Sequence, residues 1–280
     1  MEFEKSVIEL IKDRKSTRTF EQTEIDSEKL QNLNGYIEKI NFEAKIKARF
    51  AVANSKNNDG ETAKKLGTYG FIKGASYFIV GILDKSEKDA LQFGYLFEKI
   101  VLFATDMGLQ TCWLGGSFKR SDFINSLSIN NSEFIPIVSP VGVGKEKRRV
   151  FESTMRAVIA ADKRKPWSEL FFDGNTSTPL DEERAAQYSV PLEMVRLGPS
   201  ASNKQPWRII KDKDAFHFFV CRTKGYSVPS YDVQVNDIGI AKCHFDVTAN
   251  QLGLKGEWKK LESISVSTQW EYICSFIWME

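Results

Sequence analysis

Hydrophobic and polar positions alternate along this chain in two successive series of similar form. Phe3, Val7, Ile8 and Ile11 recur on one face of residues 3–12 and predict a short amphipathic helix. RKSTRTF (14–20) reads as a basic loop or extended segment, and residues 26–40 as a second helix. ASYFIVGIL (75–83) is a continuous apolar run ending at Asp84, the pattern of a buried strand. A long helix follows over 88–107, apolar on more than one face, with Gly108 as its left-handed stop. PIVSPVGVG (136–144) predicts a further strand.

After a basic stretch at 163–165 the series starts again. Residues 191–197 read as a helix, with Ser189 as its cap and Gly198-Pro199 as its stop. RII (208–210) and AFHFFV (215–220), joined by KDKD, predict a β-hairpin. A second long helix runs over 237–252 and ends at Gly253.

The recurrence is an internal repeat. GYLFEKIVLFATDMGLQTCW (94–113) aligns without a gap on GIAKCHFDVTANQLGLKGEW (239–258), matching Gly94 with Gly239, Ala104 with Ala249, Gly108 with Gly253, Leu109 with Leu254 and Trp113 with Trp258. Chance gives roughly one identity in such a window, and these fall on the helix stop and its aromatic anchor. The preceding strands align Ala75, Phe78 and Val80 with Ala215, Phe218 and Val220. The expectation is an internally duplicated α+β chain, with small sheets flanked by helices and the long helices central, divided into halves 1–160 and 161–280.

Composition excludes several function classes. With 280 residues, 42% hydrophobic and 27% charged, the chain has the balance of a folded globular protein. Its net charge of +2 is interspersed, which argues against a nucleic-acid or membrane surface built on bulk charge. The local basic runs KEKRR (145–149) and KRK (163–165) read by themselves as solvated loops. Cys112, Cys221, Cys243 and Cys274 lie far apart without CxxC spacing, and read as buried thiols rather than disulfides or a zinc site. Two histidines, His217 and His244, do not suffice for a histidine-based metal cluster, and His217 in its apolar run reads as structural. The N-terminal stretch lacks a signal-peptide core and no apolar run reaches membrane-spanning length, so a cytoplasmic location is expected.

Three segments carry candidate chemistry. Arg14, Lys15 and Arg18 with Ser16 suit a phosphate, since guanidinium forks bind oxyanions bidentately. Leu114-Gly115-Gly116 lets backbone N–H groups approach a flat ligand. PSASNKQPW (199–207) combines small residues with the hydrogen-bonding Asn203 and Gln205, then fixes its exit with Pro206 and Trp207, as gripping a heterocycle edge and a polyol chain requires. Neither GxGxxG, P-loop, GxSxG, HExxH nor a serine–histidine constellation stands out, so a cofactor would have to carry the chemistry.

At RKSTRTF, GLQTCWLGG (108–116), PSASNKQPW and VGVGKEKRR through ADKRKPWSEL (141–170), the sequence resembles the FMN-dependent nitroreductase family. It resembles in particular the branch whose single chain contains two nitroreductase-like halves. In that family each FMN lies at a homodimer interface. The resemblance therefore implies that Arg14, Lys15, Ser16 and Arg18 hold the phosphate and pyrimidine edge, that Leu114, Gly115 and Gly116 border the isoalloxazine, and that Arg164 adds to the phosphate grip. Pro199, Ser200, Ala201 and Asn203 would come from the opposite side. It further implies NAD(P)H as reductant in a ping-pong reaction, a nitroaromatic, quinone or similar small acceptor, and no side chain acting as acid or base.

The departures are complementary. The first half has ANSKNNDGET (53–62) where the PSxxNxQPW loop belongs, and the second half lacks RxSxR and reads LKGEWKK after Gly253. Each half keeps what the other lost, so the expectation is a pseudo-dimer with one complete FMN site, formed by a monomer. A flavin-binding or flavin-handling protein without turnover remains the alternative reading of the same residues.

Overall fold

The computed structural model describes residues 2–55, 67–145, 153–154, 157, 160, 163–226, 230–262, 264 and 269–279. Most of KEKRR and the 56–62 part of ANSKNNDGET lie outside these. The chain divides into two compact units. The first comprises Met1–Lys5, Asp13–Asp89 and Leu96–Ile159, and the second Ser6–Lys12, Ala90–Tyr95 and Ala160–Glu280. The second unit thus includes two short segments of the N-terminal half.

In the first unit, α2 (Ser27–Glu43) begins at Asp26, whose carboxylate accepts the N–H groups of Glu28 and Lys29. Strands β1 (Ala48–Asn54), β2 (Tyr77–Asp84), β3 (Gln110–Thr111) and β4 (Glu133–Gly142) form an antiparallel sheet in the order β1-β2-β4-β3. Helix α3 (Ala90–Asp106) lies between β2 and β3 in the chain, and α4 (Arg120–Ser126) precedes β4. In the second unit, α1 (Val7–Asp13, of which Asp13 falls in the first unit) joins α5 (Ser189–Leu197) and α6 (Val233–Gln251). Its sheet runs β5 (Phe171–Asp173), β6 (Trp207–Asp212), β7 (Ala215–Cys221), β9 (Trp270–Trp278) and β8 (Gly256–Lys259), with β5 parallel to β6.

The two sheets repeat each other. Without β5, the order β6-β7-β9-β8 has the connectivity of β1-β2-β4-β3, and a register shift interrupts both β2–β4 and β7–β9. The five matched identities now have physical reasons. Leu109 N–H reaches Ala104 O and Gly108 N–H reaches Thr105 O, both at 2.9 Å; Leu254 N–H reaches Ala249 O at 2.9 Å and Gly253 N–H reaches Asn250 O at 3.1 Å. Each set is a Schellman stop, made by a glycine with φ of 75° at Gly108 and 72° at Gly253. Just beyond each stop a tryptophan indole N–H donates to an acid on the helix just ended, Trp113 to Glu98 and Trp258 to Asp246, both at 2.8 Å.

The remaining pair, Gly94 and Gly239, marks a close helix contact within the second unit. A Cβ on Gly94 would stand 2.3 Å from Asn236 O, and one on Gly239 would stand 2.2 Å from Leu91 O. The first turn of α3 therefore meets α6 backbone to backbone.

Several sequence expectations need correction. The strand alignment slips by three residues: carried from the matched helix stops through the strand registers, Val80 corresponds to His217 rather than Val220. Phe78 and Val80 pack with Phe118 and Phe123, whereas Phe218 and Val220 pack beneath α6 with Phe245; a slip by an odd number of residues exchanges the faces of a strand. The first helix begins at Val7 rather than residue 3, because the N–H groups of Glu4 and Lys5 go to the Asp106 carboxylate at 2.6 and 3.1 Å. Ser189 caps nothing: α5 continues directly from a 3-10 turn over Ala186–Tyr188. Helix α6 starts four residues before Asp237, since Asp232 accepts the N–H groups of Gln234 and Val235. Among the described residues no helix is long and apolar enough to cross a membrane.

The glycine contact makes opposite forecasts for two helical glycines. A Cβ at Gly35 of α2 would meet nothing within 4 Å, so Gly35→Ala should stabilise the chain by about 0.5–1 kcal/mol through helix propensity. Gly239→Ala gains the same propensity but strikes backbone, and should destabilise by about 1–3 kcal/mol. Denaturant melts of the two variants measure both; equal effects would remove the helix contact from the account.

Candidate functional site

In the first unit the basic segment is laid along the sheet by its own backbone. Thr17 N–H reaches Thr111 O at 2.9 Å, Lys73 N–H reaches Arg18 O at 2.9 Å, and Phe20 N–H reaches Lys73 O at 2.8 Å. Phe20 is buried in the core with Phe78, Cys112 and Leu114. Gly74, with φ 88°, passes so close to Phe20 O that a Cβ would lie 2.1 Å from it. Only glycine fits there.

This pinning brings the first group of candidate residues together. Ser16 is bridged in parallel fashion to Thr111, and Leu114 exchanges two hydrogen bonds with Val138 at 2.9 and 3.0 Å. Arg14 and Arg18 are buried, 8% and 9% exposed, Ser16 is half-buried, and Lys15 is exposed. Arg120, which the sequence did not flag, donates to Gly115 O at 3.1 Å and Ile135 O at 2.9 Å, and so fixes the glycine turn. Gly116 has an ordinary negative φ and a Cβ there would meet nothing within 4 Å. Protein packing does not demand this glycine; the open space beside it suits a ligand that a side chain would obstruct.

The second group of candidates belongs to the second unit. After α5 the loop holds three non-glycine residues in the left-handed region: Ser202 (φ 46°), Asn203 (φ 55°) and Gln205 (φ 48°). Such a conformation costs roughly 1–2 kcal/mol per residue, so something must hold it. Gln205 N–H donates to Ser200 Oγ at 2.9 Å, and Gln205 Oε1 accepts Lys165 N–H at 2.8 Å. Asn203 Nδ2 donates to Ala160 O at 2.6 Å and Lys163 O at 2.9 Å. Buried Arg208 donates to Gln205 O and Trp207 O at 3.1 and 2.6 Å.

Arg164 joins this second group. Its guanidinium donates to Leu197 O at 3.1 Å and Asn203 Oδ1 at 3.3 Å, which braces the end of α5 against the loop. Asn203, read from sequence as a ligand-facing hydrogen-bonder, has its amide engaged with backbone. Pro199 is buried, while Ser200 and Ala201 are half-buried at the loop surface.

Beneath the loop lies Asp237, 3% exposed, whose carboxyl accepts Ala201 N–H at 3.1 Å. Burial pushes this carboxyl well above its ordinary value of 3.8, the Ala201 N–H opposes the shift, and Asp232 adds to it. A serine–histidine pair, absent from the sequence reading, also exists: His217 Nδ1 lies 2.7 Å from Ser275 Oγ, which lies 2.7 Å from Tyr272 OH. Ser275 is fully buried, and desolvation lowers the His217 pKa, so the cluster is a neutral internal network of the sheet. No group of three or more metal-ligating side chains occurs among the described residues.

A sequence model of the family described as "Putative TM nitroreductase" matches residues 6–249. The chain belongs to that family. Its fold is accordingly nitroreductase-like, in a single-chain arrangement of two halves, and its activity class is that of a nitroreductase-type oxidoreductase. A solved "putative nitroreductase" from Thermotoga maritima MSB8 is similar across 98% of this chain and 94% of its own, at 19% identity and a TM-score of 0.59. A nitroreductase family protein from Clostridium novyi NT covers 51% of this chain and 87% of its own, at 25% identity and a TM-score of 0.39. A protein described as an FMN-dependent nitroreductase from Clostridium difficile R20291 covers 50% of this chain and 88% of its own, at 19% identity and a TM-score of 0.37. No curated protein matches the chain.

Asp237 gives this family member a defined pH response. The folded chain binds the Asp237 proton more tightly than the unfolded chain, so this contribution is complete below pH 3.8 and falls as pH rises towards the folded value. Asp237→Asn lacks the titration. Urea midpoints of both proteins from pH 4 to pH 7 should show the variant gaining steadily on the wild type. A difference that stays constant with pH would show that Asp237 does not titrate abnormally.

Proposed function

We propose that the protein is an FMN-dependent NAD(P)H oxidoreductase of nitroreductase type. The observation that carries this reading is the Ser16–Thr111 bridge, which brings two buried arginines and two hydroxyl residues beside an open glycine turn in one unit. That donor set fits FMN: guanidinium forks and a hydroxyl for the phosphate, and a turn without side chains for the ring.

FMN, when bound, supplies hydride transfer from NAD(P)H and electron transfer to a nitroaromatic, quinone or similar acceptor. The chain's residues bind and orient. Arg14, Lys15 and Ser16 would hold the phosphate end. Arg18 would sit at the pyrimidine edge, where a fixed positive charge favours the negative charge that reduction develops. Leu114, Gly115 and Gly116 would border the ring, their backbone held by Val138 and Arg120. Pro199, Ser200, Ala201 and Asn203 form a loop whose shape is set in advance, and Arg164 braces that loop.

RKSTR and PSASN each occur once per chain, so the expectation is one FMN per chain and a functional monomer in the cytoplasm. Purified protein should take up FMN with flavin absorbance bands and prefer it to FAD. Arg14→Ala and Arg18→Ala should each weaken FMN binding about tenfold or more, the worth of a hydrogen bond to a charged group. Titration with FMN, release and quantification of bound flavin, and light scattering test these points together. A colourless protein that takes up no FMN would overturn the proposal. Steady NAD(P)H consumption by the flavin-loaded protein separates turnover from flavin carriage.

A further inference from the structure

Thr111 carries a side-chain hydroxyl that is shielded from solvent, 1% exposed, and has no hydrogen-bond partner among the described residues. Folded chains rarely leave a buried hydroxyl unanswered, because its lost bonds to water are not replaced. The position of this hydroxyl indicates what could answer it.

Thr17 Cγ2 lies 2.9 Å and Gln110 Oε1 lies 3.3 Å from the point where a Cβ on Gly144 would stand, so both side chains occupy the Gly144 side of their segments. Successive side chains in extended backbone alternate sides. Ser16 and Thr111, the bridged neighbours of Thr17 and Gln110, therefore share the other side. Arg14 and Arg18 lie two residues either way from Ser16 along the segment. Thr111 thus stands beside Ser16, the middle of the sequence row Arg14–Ser16–Arg18. The bridge is parallel, so the Arg18 end of the row runs in the direction of Leu114 and Gly115, and the Arg14 end runs away from them.

A ligand with an anionic group at Arg14 and a flat ring towards Arg18 and the glycine turn must pass its linking chain across Ser16 and Thr111. We infer that the Thr111 hydroxyl hydrogen-bonds a hydroxyl of the ribityl chain of bound flavin. This rests on the FMN reading above, and adds to it a residue that recognises the polyol rather than the phosphate or the ring. A threonine hydroxyl both donates and accepts, so it can meet a ribityl hydroxyl in either sense.

The test uses the full chain as wild type, Thr111→Val and Thr111→Ser, titrated with FMN, with riboflavin, and with lumiflavin, which has the ring but no ribityl chain. Valine keeps the shape and removes the hydroxyl; serine keeps the hydroxyl. Thr111→Val should weaken FMN and riboflavin by about three- to tenfold, the worth of one neutral hydrogen bond, and leave lumiflavin unchanged. Thr111→Ser should bind all three like wild type. The thermal midpoint of flavin-free Thr111→Val should equal or exceed that of wild type, because no paired group has been lost. If the valine variant does not fold, Thr111→Ala supplies the same comparison. Equal FMN affinity in wild type and Thr111→Val, or an equal loss for lumiflavin, would overturn the inference while leaving the FMN reading in place. A wild type that binds no flavin would overturn both.

Discussion

The candidate site in the first unit depends on where α3 stops. A Schellman turn needs one residue in the left-handed region, and Gly108 takes it without the penalty a side chain would bring. Leu109 is thereby turned inward, Gln110 and Thr111 enter the sheet beside β4, and Thr111 O is presented to Thr17 N–H. A stop one residue earlier or later would exchange the faces of Gln110 and Thr111. The backbone bond to Thr17 would then have no counterpart, and the basic segment would lose its seat on the sheet.

The same stop occurs in the second unit and leads elsewhere. Beyond Gly253 the chain continues into β8, whose four residues pair with β9, and a Cβ on Gly256 would lie 2.3 Å from the Phe276 ring. Here the glycine serves packing against an aromatic, whereas Gly116 faces open space. One supersecondary unit thus ends once in a ladder and once in a turn. Conversely, among the described residues only the second unit shows the left-handed loop after a helix, here α5, held by Gln205, Arg164, Arg208 and Asp237. The duplication preserved the parts that make a helix stop and a sheet, and the parts suited to a ligand diverged.

Much of this was legible in the sequence because it is periodic or punctuated. The long helices, their glycine stops and the β6–β7 hairpin are readable from apolar spacing and turn residues. The RKSTR, LGG and PSASN segments are readable because unusual residue types are concentrated in them. Strands β1, β3 and β8 were not, since they are short or mixed and depend on neighbours for their pairing. The offset of β2 against β7 was misread because a run buried on both faces carries no period to fix its register. Asp237, Arg120 and Thr111 were missed for another reason. Nothing in local sequence tells an acid, a cation or a hydroxyl that faces a distant backbone from one that faces water.

The allocation of Ser6–Lys12 and Ala90–Tyr95 to the second unit bears on how such a chain can be divided. Val7 N–H is bound to Gln251 Oε1 and Gly94 lies against Asn236, so both segments are embedded in residues more than 140 positions further along. A break at the boundary between the halves would strip the second unit of a helix and of the turn that covers its longest one. It would also leave in the first fragment two apolar segments with nothing to cover them. The second unit thus depends on segments of the first half, and a break at the boundary between the halves does not return it whole. Whatever ancestor assembled from separate copies, this chain has closed the route back to it.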